Sequence, residues 1–197
     1  MQRKSIRIAT SSFVALIVFA FAGMTSAATA PARVAEASQW QSKIESSLPL
    51  MGHRNWILIV DSAYPLQTSP GIETVETNAD QADVIRAVMG ALDKSIHVRP
   101  IIFMDAELPF VPEQSAPGVT EYRTQIAQLF HGKEIRSLAH EQVIGRVAEA
   151  GKSFHVLVLK SKMTIPYTSV FLQLDCKYWS AESEKELREK MVGGGPK

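Results

Sequence analysis

Apolar residues recur along this chain with two alternating spacings, and their order predicts a fold. The run 56–60, Trp-Ile-Leu-Ile-Val, is continuous, as in a strand buried on both faces. Stretches 72–77, 99–105, 135–138, 154–159 and 168–174 read as further strands. Between them the apolar residues return every three or four positions. Trp40, Ile44 and Leu48 predict a helix over 35–48 that Pro49 stops. Val84, Val88 and Leu92, with Ile85 and Met89, predict a second helix after a cap at Asn78 or Asp80. Tyr122, Ile126, Leu129 and Phe130 mark a third over 119–130, and Val143, Ile144 and Val147 a fourth over 141–150. Five or more strands alternating with helices predict a single three-layer α/β domain, with a central, largely parallel sheet flanked by helices.

The two ends of the chain do not fit this pattern. Arg3, Lys4 and Arg7 precede an apolar stretch over 8–24, followed by the small residues Thr25-Ser26-Ala27-Ala28-Thr29-Ala30. That is the layout of a secretory signal peptide, with cleavage expected after Ala27 or, as second choice, Ala30; an uncleaved membrane anchor is the other reading. Residues 1–27 are thus assigned to the signal, 28–38 to a flexible lead-in, 39–180 to the domain and 181–197 to a charged helical tail ending in disorder. The expected location is the periplasm or outside the cell.

Composition narrows the function. The chain has 197 residues and 46% hydrophobic composition, enough for the core of one domain. The full chain carries 21 Lys and Arg against 20 Asp and Glu, whereas removal of the first 27 residues leaves 18 against 20. With no basic block, a nucleic-acid partner is not expected. Nor is a membrane partner once the signal is cleaved. The single Cys176 excludes an intramolecular disulfide and any multi-cysteine zinc site. No glycine-rich dinucleotide turn, phosphate loop or serine elbow is present, so no cofactor is expected.

The remaining candidates are acid–base groups at strand ends. His53 and Asp61 flank the buried run 56–60, and Gly52 offers a backbone able to turn with positive φ. The bland alternative has His53 pairing locally and Asp61 holding the next loop. His140 falls at a strand-to-helix junction, where its ring can face a pocket and exchange protons near neutral pH. Tyr167 precedes the last strand. Arg123, near a helix start, can meet an anion or a sugar hydroxyl, or else form a surface salt bridge. Two histidines and a carboxylate can also bind a divalent metal, but their spacing forms no local ligand motif.

Taken together, Gly52-His53 with Asp61 eight residues beyond the histidine, His140-Glu141-Gln142 opening a helix, and Pro166-Tyr167 entering the last strand resemble the family of D-ribose pyranases and L-fucose mutarotases. The similarity spans about residues 40–174. It implies an α/β fold assembled into a ring-like homo-oligomer, with a pocket at the subunit interface that interconverts monosaccharide anomers or ring forms without a metal. It further implies that His53, Asp61, His140 and Tyr167 belong to the catalytic pocket. The acid–base chemistry itself assigns His53 the principal proton transfer and Asp61 the orienting of that ring or of a sugar hydroxyl, with His140 and Tyr167 binding hydroxyls or completing the relay. Arg123 and Ser169 are then placed at the substrate. His140 is similar to the ribose branch, and Tyr122-Arg123 to the fucose branch. The chain departs from the family at Lys162-Met163, where a glycine–glutamate pair is usual, and at Ser169, where asparagine is usual. Those departures, with the export signal, leave an exported monosaccharide-binding or transport-accessory protein without turnover as the alternative.

Overall fold

The computed structural model describes residues 39–194. The expected signal and lead-in, residues 1–38, and the last three residues lie outside the described residues. A first helix, α1, occupies 39–47, and Pro49 sits inside the short 3-10 turn Leu48–Leu50 that follows it. The next elements in chain order are β1 (Trp56–Val60), β2 (Ile72–Glu76), α2 (Gln81–Lys94), β3 (Val98–Asp105), α3 (Val119–Leu129), β4 (Ile135–Leu138), α4 (His140–Ala150), β5 (Val156–Lys160), β6 (Val170–Cys176) and α5 (Ala181–Gly193). The turn into β1 adopts positive φ at Arg54 (77°), not at Gly52 as the sequence suggested. Gly52 instead donates its N–H to Asn55 Oδ1 at 2.6 Å.

The six strands form one sheet in the order β2-β5-β1-β6-β3-β4. Pairs β2/β5, β5/β1 and β3/β4 are parallel, whereas β6 runs antiparallel to both β1 and β3. This reversal has a local cause. Only residues 161–169 connect β5 to β6, and a parallel return needs a crossover of a dozen or more residues. The chain therefore turns back at once, and the start of β6 meets the edge where β1, β3 and β5 end.

Alternation along the strands sends side chains into two cores. Ile57, Ile59, Leu157, Leu159 and Leu172 pack with Ile44 of α1, Val84 and Val88 of α2, and Ile126 of α3. On the opposite face Trp56, Leu58, Phe103, Val158 and Phe171 pack with Val143 and Val147 of α4. All five residues of β1 are buried, as a central strand covered on both sides requires. Over 181–192 the tail helix α5 buries no residue; Ser180 caps it, and ion pairs Glu184–Arg188 and Glu186–Lys190 run along it. Among the described residues no helix is long and apolar enough to cross a membrane.

Candidate functional site at the carboxyl edge of the sheet

Apart from Ser47, every buried polar residue among the described residues gathers at the edge where the parallel strands end: Thr77, Gln81, Asp105, Ser161, Thr168 and Ser169. Such groups are tolerated inside only when bonded. Several form a brace. Gln81 Nε2 donates to Tyr122 Oη at 2.9 Å and to the Thr168 carbonyl, while Tyr122 Oη donates to that carbonyl at 2.6 Å. Ser161 Oγ lies 2.9 Å from the Val60 carbonyl and 3.0 Å from Gln81 Oε1. The brace ties α2 and α3 to the loop entering β6.

Beside it, on the face covered by α4, lies an acid–base pair. Asp105 ends β3 with its side chain fully buried, and its Oδ1 is 3.1 Å from Nδ1 of His140, the first residue of α4. Glu107 seats that histidine by accepting its backbone N–H at 3.0 and 3.1 Å. Facing an ionised carboxylate, Nδ1 carries the proton, which leaves Nε2 as the basic nitrogen. Burial pushes the Asp105 carboxyl up from its usual 3.8, the bond and charge of His140 pull it back, and the Glu107 and Asp61 charges push upward again, to about 6. Tyr167 meets His140 edge-on, with ring centroids 5.5 Å apart. Its φ of 59° is an unusual state for a bulky residue, held by the tight turn into β6. Glu107, Pro166 and Tyr167 also border a cleft of about 340 Å³.

Of the residues singled out from sequence, Asp61, His140, Tyr167 and Ser169 all lie at this edge. Ser169 Oγ donates to Asp61 Oδ2 at 3.4 Å, while Asp61 Oδ1 accepts from Ala63 N at 2.9 Å and so also holds its own loop. Arg123 does not enter the site. Its Nε donates to the Leu108 carbonyl at 3.1 Å and its Nη2 to the Val111 carbonyl, which fixes the loop before α3. Nor does His53. It lies beyond the far end of β1, bonded to Asp175 at 3.1 Å, and Arg99 shares that carboxylate. The five residues of β1 hold His53 and Asp61 roughly 17 Å apart or more, at a rise of about 3.3 Å per residue. Within one chain the two cannot act on one small molecule.

Asp105, Glu107 and Tyr64, whose buried hydroxyl feels the Asp105 and Asp61 charges, also belong to this candidate site but are not among the residues singled out from sequence. Asp105 had a usable signal, since an aspartate closing the apolar run 101–104 repeats the pattern by which Asp61 was chosen. Tyr64, in a proline-flanked loop, had none. Among the described residues no group of three His, Cys, Asp or Glu side chains is placed to hold a metal ion.

No protein-family model and no curated protein matches the chain. Among solved structures it is similar to RbsD of Bacillus subtilis complexed with D-ribose, at 17% identity over 68% of this chain and 92% of that one, with a TM-score of 0.49. It is also similar to the fucose mutarotase of Streptococcus pneumoniae in complex with L-fucose, at 18% identity over 68% and 91%, TM-score 0.46. A third is FucU from Bifidobacterium longum, at 19% identity over 68% and 92%, TM-score 0.46. At these identities the likeness is one of fold.

Proposed function

We propose that this protein is an exported monosaccharide mutarotase or pyranase, which interconverts anomers or ring forms of an aldose by acid–base catalysis. The observation that carries the reading is the Asp105–His140 pair, whose imidazole is one-third exposed beside Tyr167 at the carboxyl edge of the sheet. In open α/β sheets this edge is where ligands bind. The reaction asks for little more. A base takes the proton from the anomeric hydroxyl, an acid protonates the ring oxygen, and the open aldehyde closes on its other face with both transfers reversed. His140 Nε2 serves as the base, and Asp105 stabilises the imidazolium that forms. Tyr167 protonates the ring oxygen, and Asp61 with Ser169 binds a hydroxyl.

The second reading, an exported monosaccharide-binding protein without turnover, has its own support. Lys162 pairs with Asp80 at 3.1 Å and Met163 packs against the core, so neither position presents a carboxylate to the edge. Magnetisation-exchange NMR on D-ribose, L-fucose and D-galactose separates the two. Protein-dependent exchange between anomer signals is expected for at least one sugar. Saturable binding without exchange would select the second reading, and neither binding nor exchange would remove both.

A further inference from the structure

Two buried polar atoms at this edge have no hydrogen-bond partner: Asp105 Oδ2 and Tyr64 Oη. Both residues are almost wholly enclosed, at 2% and 3% exposure. The Tyr64 ring packs in the same apolar cluster as Val60, Phe103 and Val143, beneath the start of α4. Burial, and after it the charges of the nearby Asp105 and Asp61 carboxylates, hold its phenol well above the usual value. A neutral phenol is a donor, and a carboxylate oxygen is an acceptor. Each atom left unpaired inside costs about as much as a lost hydrogen bond. The two are not hydrogen-bonded to each other, so neither satisfies the other.

A hydroxyl group can satisfy both, since it donates through its hydrogen and accepts through its oxygen. Resting on the monosaccharide reading above, we infer that Tyr64 and Asp105 Oδ2 form a specificity niche for one non-anomeric hydroxyl of the sugar, entered past His140 and Tyr167. Asp105 then has two tasks, one for each oxygen. Oδ1 holds the imidazole and Oδ2 reads the substrate. The inferred ligand class is an aldose bearing a hydroxyl at one required carbon. An analogue with hydrogen there leaves a buried charged acceptor and a buried phenol unpaired, and sites built to bond a hydroxyl reject such analogues strongly.

Calorimetry tests this with D-ribose, L-fucose and D-galactose, each beside its monodeoxy analogues, on wild-type protein and on Tyr64→Phe. Wild type should bind one analogue about 10- to 100-fold more weakly than its parent sugar, a larger loss than at the hydroxyl held by Asp61 and Ser169. Tyr64→Phe should shrink that ratio several-fold. Its melting midpoint without sugar should stay close to that of wild type, which shows the fold to be intact. A wild-type protein that binds a sugar but tolerates every deoxy position, or a Tyr64→Phe variant with the full ratio intact, would overturn the niche while leaving the mutarotase reading standing. Binding of no sugar by wild type would remove that reading and the niche with it.

Discussion

Asp105 is where chemistry and stability pull in opposite directions. Its carboxyl sits near pH 6 in the folded chain against a usual 3.8, so between those values the folded state holds more protons than the unfolded one. Stability contributed at this site therefore falls as pH rises through that window, and the penalty is complete above about pH 6, at up to about 3 kcal/mol. Asp105→Asn removes it. The variant should gain on wild type between about pH 4 and pH 6 and keep that gain at about pH 8, while anomer exchange drops by about 10²-fold or more because the imidazolium loses its counter-charge. Denaturant midpoints at the two pH extremes, beside exchange NMR, check both halves. An equal stability difference at both would rule out the assignment of a raised carboxyl. The same residue shows how far single positions can be read from sequence. His140 and Tyr167 are legible as candidates because they stand at element boundaries, in His140-Glu141-Gln142 and Pro166-Tyr167. Asp105 looked like an ordinary strand terminus, since what marks it is burial beneath α4, and burial is a property of the packed sheet.

At the scale of elements, α4 is the part that carries the histidine, and Glu107 is what seats it. Ala139 at the cap position offers no side-chain acceptor, so the first N–H of the helix is satisfied by a carboxylate from the loop after β3. Glu107→Ala should lower stability by about 0.5–2 kcal/mol, the usual worth of such a cap. It should also slow exchange through a misplaced ring, with less effect on sugar binding. Glu107→Gln, which keeps one acceptor oxygen, should recover most of the stability, as denaturant titration of the pair would show. An alanine variant with wild-type stability and exchange would mean that the contact positions nothing. The elements themselves were largely legible: strands 56–60 and 135–138 match the observed bounds, and the others begin or end within a few residues of theirs. Hydrophobic spacing decides this locally. Two features escaped for physical reasons. The reversal of β6 follows from a nine-residue connection whose consequence appears only when the strands are placed side by side. The turn into β1 adopts its left-handed state at Arg54, because the Asn55 side chain closes the turn on Gly52 N, so the glycine's freedom goes unused.

For the molecule as a whole, the separation of His53 from Asp61 gives a sharp form to the subunit-interface pocket that the family resemblance implies. If His53 takes part in sugar chemistry, geometry requires that it serve the carboxyl edge of another copy, since its own lies across the full length of β1. A self-associating chain can meet that requirement, through either a two-fold or a ring-forming contact. Sedimentation should then show an oligomer at micromolar concentration, and His53→Gln should lose exchange by about 10²–10⁴-fold although the residue is remote from its own Asp105–His140 pair. A complementation experiment separates this from damage to the fold. His53→Gln and His140→Gln are each expected to be inactive alone. In a randomly mixed oligomer, roughly a quarter of the sites would combine an intact His140 from one copy with an intact His53 from the next, so co-expression of the two variants should restore about that fraction of wild-type exchange. Sites built within single chains gain nothing by mixing, because each chain still lacks one histidine. Near-wild-type exchange by His53→Gln alone would place the residue outside the reaction and leave it as the exposed partner of Asp175. Loss of exchange without recovery on mixing would discard the shared pocket and point to a His53 that stabilises its own chain through Asp175 and Arg99.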